Sequence, residues 1–318
     1  MGNPPGSPHP SNPSGRPLAI ALGLKALARP ELQELQPLLV GCRRWLESSY
    51  ALLRQHSPEP LRDPATLEMI DVPLDDPITP GKGTADSGAA SFAWLTKAAE
   101  LVLRGRCQAL VTAPIAKACW HAAGHIYPGQ TERLADLSGV DQAAMLFTAR
   151  APGSHWRLNT LLATTHMPLA AVPGALSPAL IERQLDTLLA FCQRFATRPH
   201  LMVAGLNPHA GEAGALGTEE RDWLEACLSR WQQQHPDALL DGPLPPDTCW
   251  LDAAAALYHD QGLIPVKLLA FDAAVNTTLG LPFLRTSPDH GTGFAIAGQG
   301  VARADSMAAA ISTALELG

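Results

Sequence analysis

Residues 201–212 read Leu201-Met-Val-Ala-Gly205-Leu-Asn-Pro-His209-Ala-Gly-Glu212. Leu201–Gly205 suits a buried strand, Asn-Pro breaks it, and a histidine follows at once. The flanks read as helices, Ser177–Ala196 with Ser177 as N-cap and Glu219–Gln234. The alternation extends along the chain. Leu18–Leu22, Pro37–Gly41, Ala109–Thr112, Leu161–Thr165 and Leu263–Leu268 are strand-like. Leu24–Leu35 (broken at Pro30), Arg44–Gln55, Gly88–Arg106 and Ala304–Leu317 have helical spacing. Strands alternating with long helices predict an α/β fold with a mainly parallel sheet covered on both faces. In such sheets ligands bind beyond the carboxyl ends of the strands.

Composition narrows the class of protein. The chain has 318 residues, 46% of them apolar, enough for a full core without disulfide or metal staples. A net charge of −7 provides no electrostatic footprint for nucleic acid or an anionic membrane. No apolar run reaches the length of a membrane span. Leu18–Leu24 is too short for a signal-peptide core before Lys25 ends it. Six scattered cysteines form no C-x-x-C pair, so a reducing, cytoplasmic setting is expected. Met1–Gly15, rich in Gly, Pro, Ser and Asn, reads as a disordered tail.

Four segments carry polar residues at apolar borders. Lys117 lies just past Ala109–Thr112, as a ligand-facing lysine or a solvated one. In Gly129-Gln-Thr-Glu132 the glycine allows close backbone approach, while Gln130 and Thr131 offer hydrogen bonds at a helix start. That arrangement suits an anion, and it equally suits Thr131 as an N-cap. His166, His209 and His259 each follow an apolar strand-like run. Three imidazoles can bind a divalent metal and leave positions open. Taken singly, each reads as a structural or surface histidine, so the site requires a fold that gathers them. Lys267 and Arg285 read either as anion-binding cations or as surface charges. Asp289-His-Gly-Thr292 is a tight turn that could hold a nucleotide, and Gly298-Gln-Gly300 falls short of a G-x-G-x-x-G fingerprint.

Seven strings together resemble the 4-hydroxythreonine-4-phosphate dehydrogenase family of pyridoxal phosphate biosynthesis. They are Val111–Lys117, Gly129–Glu132, Ala163–Leu169, Gly205–Glu212, Gly242–Thr248, Tyr258–Gly262 and Val275–Gly291, in the family's order and spacing. The resemblance implies two α/β/α domains with the active site in the cleft between them, as in isocitrate and isopropylmalate dehydrogenases. The domains would be 16–128 plus 270–318, and 129–269 with the metal site and dimer interface. It implies His166, His209 and His259 as metal ligands (zinc, magnesium or cobalt), the third coming from the other subunit of a homodimer. Gln130, Thr131, Lys267, Asn276 and Arg285 would contact a small phosphorylated substrate. Asp289, His290, Gly291 and Thr292 are candidates for the NAD or NADP site. Asp260 and Lys117 are candidates for the general base. The implied reaction is oxidation of the C3 hydroxyl of 4-phosphohydroxy-L-threonine, then decarboxylation to 3-amino-2-oxopropyl phosphate.

Two departures stand out. Gln130 occupies a position where the family usually has His, and glutamine cannot become cationic. The family's Gly-Asp-Pro-Ala-Gly-Ile-Gly-Pro-Glu loop is also missing. Either Arg16–Gly23 is the strand before it and the loop is lost, or Pro13-Ser-Gly15 is its remnant and the strand is lost. NAD binding weaker than in a full-length relative is therefore expected. Two alternatives stay open: a dehydrogenase for threonate or erythronate 4-phosphate, and a non-catalytic ligand-binding dimer.

Overall fold

The computed structural model describes residues 18–74, 78, 82–141, 143–151, 153, 156–250 and 253–318. The expected tail at 1–15 lies outside them. Among the described residues no helix is long and apolar enough to cross a membrane. The chain divides into two compact units.

Among the described residues, the first unit comprises those from 18 to 97, 114–128 and 290–304. It holds α1 (Leu18–Leu27), β1 (Leu38–Gly41), α2 (Arg43–His56), β2 (Glu68–Asp71), most of α3 (Ala85–Leu103) and α4 (Lys117–Ala122). β1 and β2 pair in parallel, Leu38 opposite Glu68. Leu18–Leu22, expected as a strand, is the start of α1. Leu, Ala and Lys dominate Leu18–Leu27, and these are strong helix formers. The Arg16–Gly23 strand is therefore not formed from Leu18 onward, while Pro13–Gly15 falls outside the described residues. Lys25 of α1 is buried, its ammonium donating to Glu59 Oε1 at 2.8 Å and to the carbonyls of Gly300 and Ala302 at 2.7 and 2.8 Å.

The second unit comprises 98–113, 129–289 and 305–318. Its strands are β3 (Ala109–Val111), β4 (Ala144–Arg150), β5 (Arg157–Leu162), β6 (His200–Ala204), β7 (Leu239–Leu244), β8 (Ala253–Ala256), β9 (Val275–Leu279) and β10 (Leu284–Pro288). Its helices are α5 (Gln130–Ser138), α6 (Val172–Ala175), α7 (Pro178–Cys192), α8 (Glu225–Gln234), α9 (His259–Ala270) and α10 (Asp305–Leu317). The sheet order is β3-β10-β9-β4-β5-β8-β6-β7. Segments 98–113, 270–289 and 305–318, expected with the first domain, fall here. The reason is that β3, β9 and β10 hydrogen-bond into this sheet and Thr286 Oγ1 bonds Ala310 O of α10 at 2.9 Å.

The sheet is mixed. β5, β8, β6 and β7 run parallel, as expected, whereas β4 and β9 are antiparallel to each of their neighbours. Strand alternation builds three layers. Leu146, Leu161, Ala255 and Val203 face α7 and α8, where Leu185, Leu188, Cys227 and Trp231 complete one core. Phe147, Leu162 and Ala256 face the other way, against Leu263, Val266 and Ala270 of α9. Leu263–Leu268, expected as a strand, lies inside that helix. Its buried residues Gly262, Val266 and Ala270 recur every fourth position, which is helical spacing. Ser177 caps α7 as expected, accepting from Leu180 N at 3.3 Å.

Candidate active site

The histidine loops leave three neighbouring strands. β5, β8 and β6 are adjacent and parallel, so their carboxyl ends share one edge of the sheet. His166 follows β5, His259 opens α9 after β8, and His209 follows β6. Buried polar side chains tie these loops together. Thr164 Oγ1 donates to Leu257 O at 2.7 Å. Gln261 accepts from Leu257 N at 2.7 Å and donates to Gly205 O at 2.6 Å. Gly262 lets α9 approach closely, since a Cβ there would lie 2.6 Å from Leu162 and 2.9 Å from Ala256.

The rings of His166 and His259 come within 5.4 Å, centroid to centroid, at 45°. Two imidazoles binding one ion at about 2.0–2.1 Å fit that separation, so this pair suits a divalent metal. His259 Nδ1 is 2.8 Å from Asp260 Oδ1, which orients the ring and leaves Nε2 for a ligand. His209 does not join the pair within one chain: among the described residues no three of His, Cys, Asp and Glu converge to hold a metal.

The chain around His209 is unusual. His209, Ala210, Gly211, Glu212 and Ala213 all have left-handed backbone angles, with φ of 52°, 53°, 82°, 44° and 55°. Each non-glycine residue in that region costs about 1–2 kcal/mol, so the turn persists only where its surroundings hold it. Glu219 beside it keeps its carboxyl below the ordinary range, through its own backbone N–H and through the side chain of Asn207.

A second polar cluster surrounds Arg285 on β10, which is 4% exposed and so is no surface charge. Its Nε and Nη2 donate to Thr112 Oγ1 at 3.0 and 2.7 Å. Its Nη1 donates to Thr278 Oγ1 at 3.1 Å, and its Nη2 to Gln130 Oε1 at 3.2 Å. These acceptors are neutral, and burial pulls the guanidinium down to about 10, with Glu132 opposing through space. A buried cation bonded only to neutral oxygens is poised for an anion. Gln130 opens α5 and donates to Ala113 O at 2.8 Å, so the N-cap is Gly129 and Thr131 sits within the first turn. Asn276 and Thr278 lie on one face of β9, opposite Ser287 and Arg285, and Asn276 Oδ1 is buried without a hydrogen-bond partner. Thr112 and Thr278 were not singled out from the sequence. The Thr-Ala-Pro after β3 was the available signal for Thr112.

Lys267 is engaged with Asp289, forming an ion pair and a 3.0 Å bond to its carbonyl. His290 is exposed and its Nδ1 is 2.9 Å from Gly291 O, while the Cα of Gly291 faces open space. Lys117 and Asp260 are exposed.

The fold and site define an α/β protein with paired histidines at a parallel-strand edge and a buried arginine poised for an anion. The family model described as pyridoxal phosphate biosynthetic protein PdxA matches residues 33–314, and the chain belongs to this family. A 4-hydroxythreonine-4-phosphate dehydrogenase of Synechococcus sp. (strain RCC307) is 64% identical over 328 residues, covering 95% of this chain and 99% of the relative. The crystal structure of the 4-hydroxythreonine-4-phosphate dehydrogenase from Klebsiella pneumoniae is 35% identical with a TM-score of 0.83, over 96% of each chain. A terephthalate 1,2-cis-dihydrodiol dehydrogenase from Burkholderia xenovorans LB400 is 27% identical with a TM-score of 0.64, over 94% of this chain and 95% of that one.

Proposed function

We propose that this protein is an NAD- or NADP-dependent 4-hydroxythreonine-4-phosphate dehydrogenase, which oxidises 4-phosphohydroxy-L-threonine to 3-amino-2-oxopropyl phosphate with loss of CO2. Family membership motivates the reaction, and the observation that carries the site is Arg285, buried and bonded only to neutral oxygens. Arg285 binds an anionic group of the substrate, with Thr112, Thr278 and Gln130 holding the guanidinium in plane. Thr131 in the first turn of α5 adds a hydroxyl, and Asn276 Oδ1 accepts from a substrate hydroxyl or amine. Lys267 reaches the substrate or fixes Asp289 at the start of the cofactor-binding turn Asp289–Thr292. When bound, the nicotinamide supplies the hydride acceptor and a zinc, magnesium or cobalt ion the Lewis acid. His166 and His259 hold the metal from one chain, Asp260 orients His259, and Asp260 or Lys117 takes the proton. The six free cysteines fit a reducing cytoplasm.

The third ligand, in this reading, is His209 of a second copy, in place of the His259 that the family resemblance implies, because His259 already lies beside His166 in the same chain. Supporting this, α9 exposes Ile264 and Leu268, and Phe271 at its C-cap continues the stripe at helical spacing, while Met167 and Leu169 lie just after His166. Metal-dependent NADH formation from 4-phosphohydroxy-L-threonine tests the reaction. Mixing inactive His209→Ala and His259→Ala chains tests the shared site. Each mixed dimer would regain one intact triad and part of the activity, whereas no rescue would place all three ligands in one chain.

A further inference from the structure

The left-handed turn after β6 closes around one buried carboxylate. Glu220, 2% exposed, begins a wide π-type turn that leads into α8. Its Oε1 accepts from the backbone N–H of Asn207 at 2.8 Å and its Oε2 from Asn207 Nδ2 at 2.9 Å. Glu219 Oε2 also accepts from Asn207 Nδ2, at 2.8 Å, and from Thr218 N at 3.1 Å. Two glycines make room for the Glu220 carboxylate. A Cβ on Gly205 would lie 3.2 Å from its Oε1, and one on Gly211 would lie 2.7 Å from its Oε2. The carboxylate thus touches the chain both before and after His209. Both of these Glu220 hydrogen bonds run to Asn207 of the loop, so its charge serves the turn.

We propose that Glu220 is the positioning residue of His209: its buried carboxylate holds the left-handed 209–213 segment against the end of β6 and thereby sets where the imidazole is presented. Asn207 is the link, bonded to Glu220 through both its backbone and its side chain. The turn contains four non-glycine residues that would leave this conformation if released. The idea rests on the reading of His209 as a metal ligand, and the two are separable by experiment.

The test uses the full chain as wild type, Glu220→Gln, His209→Ala and the double variant. Glutamine keeps the shape but turns one acceptor into an N–H2 group facing another donor. Two measurements are made: amide hydrogen exchange over 205–217 without metal, and Co2+ affinity by calorimetry. Expected for Glu220→Gln is exchange faster by roughly tenfold or more over 205–217, with β6 and β8 unchanged. Its Co2+ affinity should fall roughly ten- to hundredfold. The double variant should bind Co2+ no more weakly than His209→Ala alone, because Glu220 acts through His209. Unchanged exchange in Glu220→Gln would overturn the proposal, as would a Co2+ loss that adds in full to that of His209→Ala. If His209→Ala itself keeps wild-type Co2+ affinity, the ligand reading falls, while the exchange data still decide whether Glu220 holds the turn. Should Glu220→Gln not fold, Asn207→Ala cuts the same tie from the other side and is read in the same two ways.

Discussion

Replacing Arg285 with methionine should separate stability from binding. Burial pulls the guanidinium down from its ordinary range to about 10, which amounts to about 3 kcal/mol against the charged form in the folded chain. The folded value of this base is depressed, so the cost applies in full below pH 10 and fades only as the pH rises above 10. Opposing it are four hydrogen bonds to Thr112, Thr278 and Gln130, each worth about 1 kcal/mol net. Arg285→Met removes both contributions. The expected change in stability is therefore within about 2 kcal/mol, a few degrees in melting temperature. Binding should respond quite differently. A phosphate or carboxylate that loses a two-pronged charged donor loses about 3–6 kcal/mol, so KM should rise by at least about a hundredfold. Thermal melting with and without inorganic phosphate reads both effects. Phosphate should raise the wild-type melting temperature and leave that of the variant unmoved. A variant that melts more than about 10 °C lower while still responding to phosphate would show that Arg285 is structural.

In the first unit, Lys25→Met should destabilise by about 2–4 kcal/mol in denaturant titration, because the buried carbonyls of Gly300 and Ala302 lose their shared donor. A loss below about 1 kcal/mol would mean that those carbonyls find other partners. Burial raises the thiols of Cys192 to about 12 and of Cys227 and Cys249 to about 11, so at pH 8 roughly one in a thousand or fewer is thiolate. A disulfide-exchange reagent should leave these three unlabelled in the native protein and label them once denaturant unfolds it. Rapid native labelling of Cys227 would show that the α7–α8 side of the core opens readily.

What was readable in the sequence was local. His166, His209 and His259 could be placed at strand ends because apolar runs stop at turn residues directly before them. α3, α7 and α10 were legible from helical spacing. Two apolar runs misled. Leu18–Leu22 and Leu263–Leu268 are short, and a short apolar run has no period to tell a strand from a helix segment. β8 shows the converse: four alanines with weak strand preference pair between β5 and β6, since small side chains there let α9 pack tightly. The state of Arg285 was not readable at all, because Thr112 and Gln130 are 173 and 155 residues away and only the pairing of β3 with β10 brings them in. Glu220 reads as one of several acids at a helix start, and its burial depends on the left-handed turn that it contacts.

The most direct test of the central claim is NADH formation by the purified, full-length protein with an added divalent cation. The substrates compared are 4-phosphohydroxy-L-threonine and its deamino analogues, threonate and erythronate 4-phosphate. The account predicts NADH formation that chelation of the metal abolishes, with the highest kcat/KM for the amino substrate and NAD affinity lower than in a relative that carries the Gly-Asp-Pro-Ala-Gly-Ile-Gly-Pro-Glu loop. A higher kcat/KM for threonate or erythronate phosphate would reassign the substrate, and phosphate-ligand binding with no NADH from any of the three would contradict the dehydrogenase assignment.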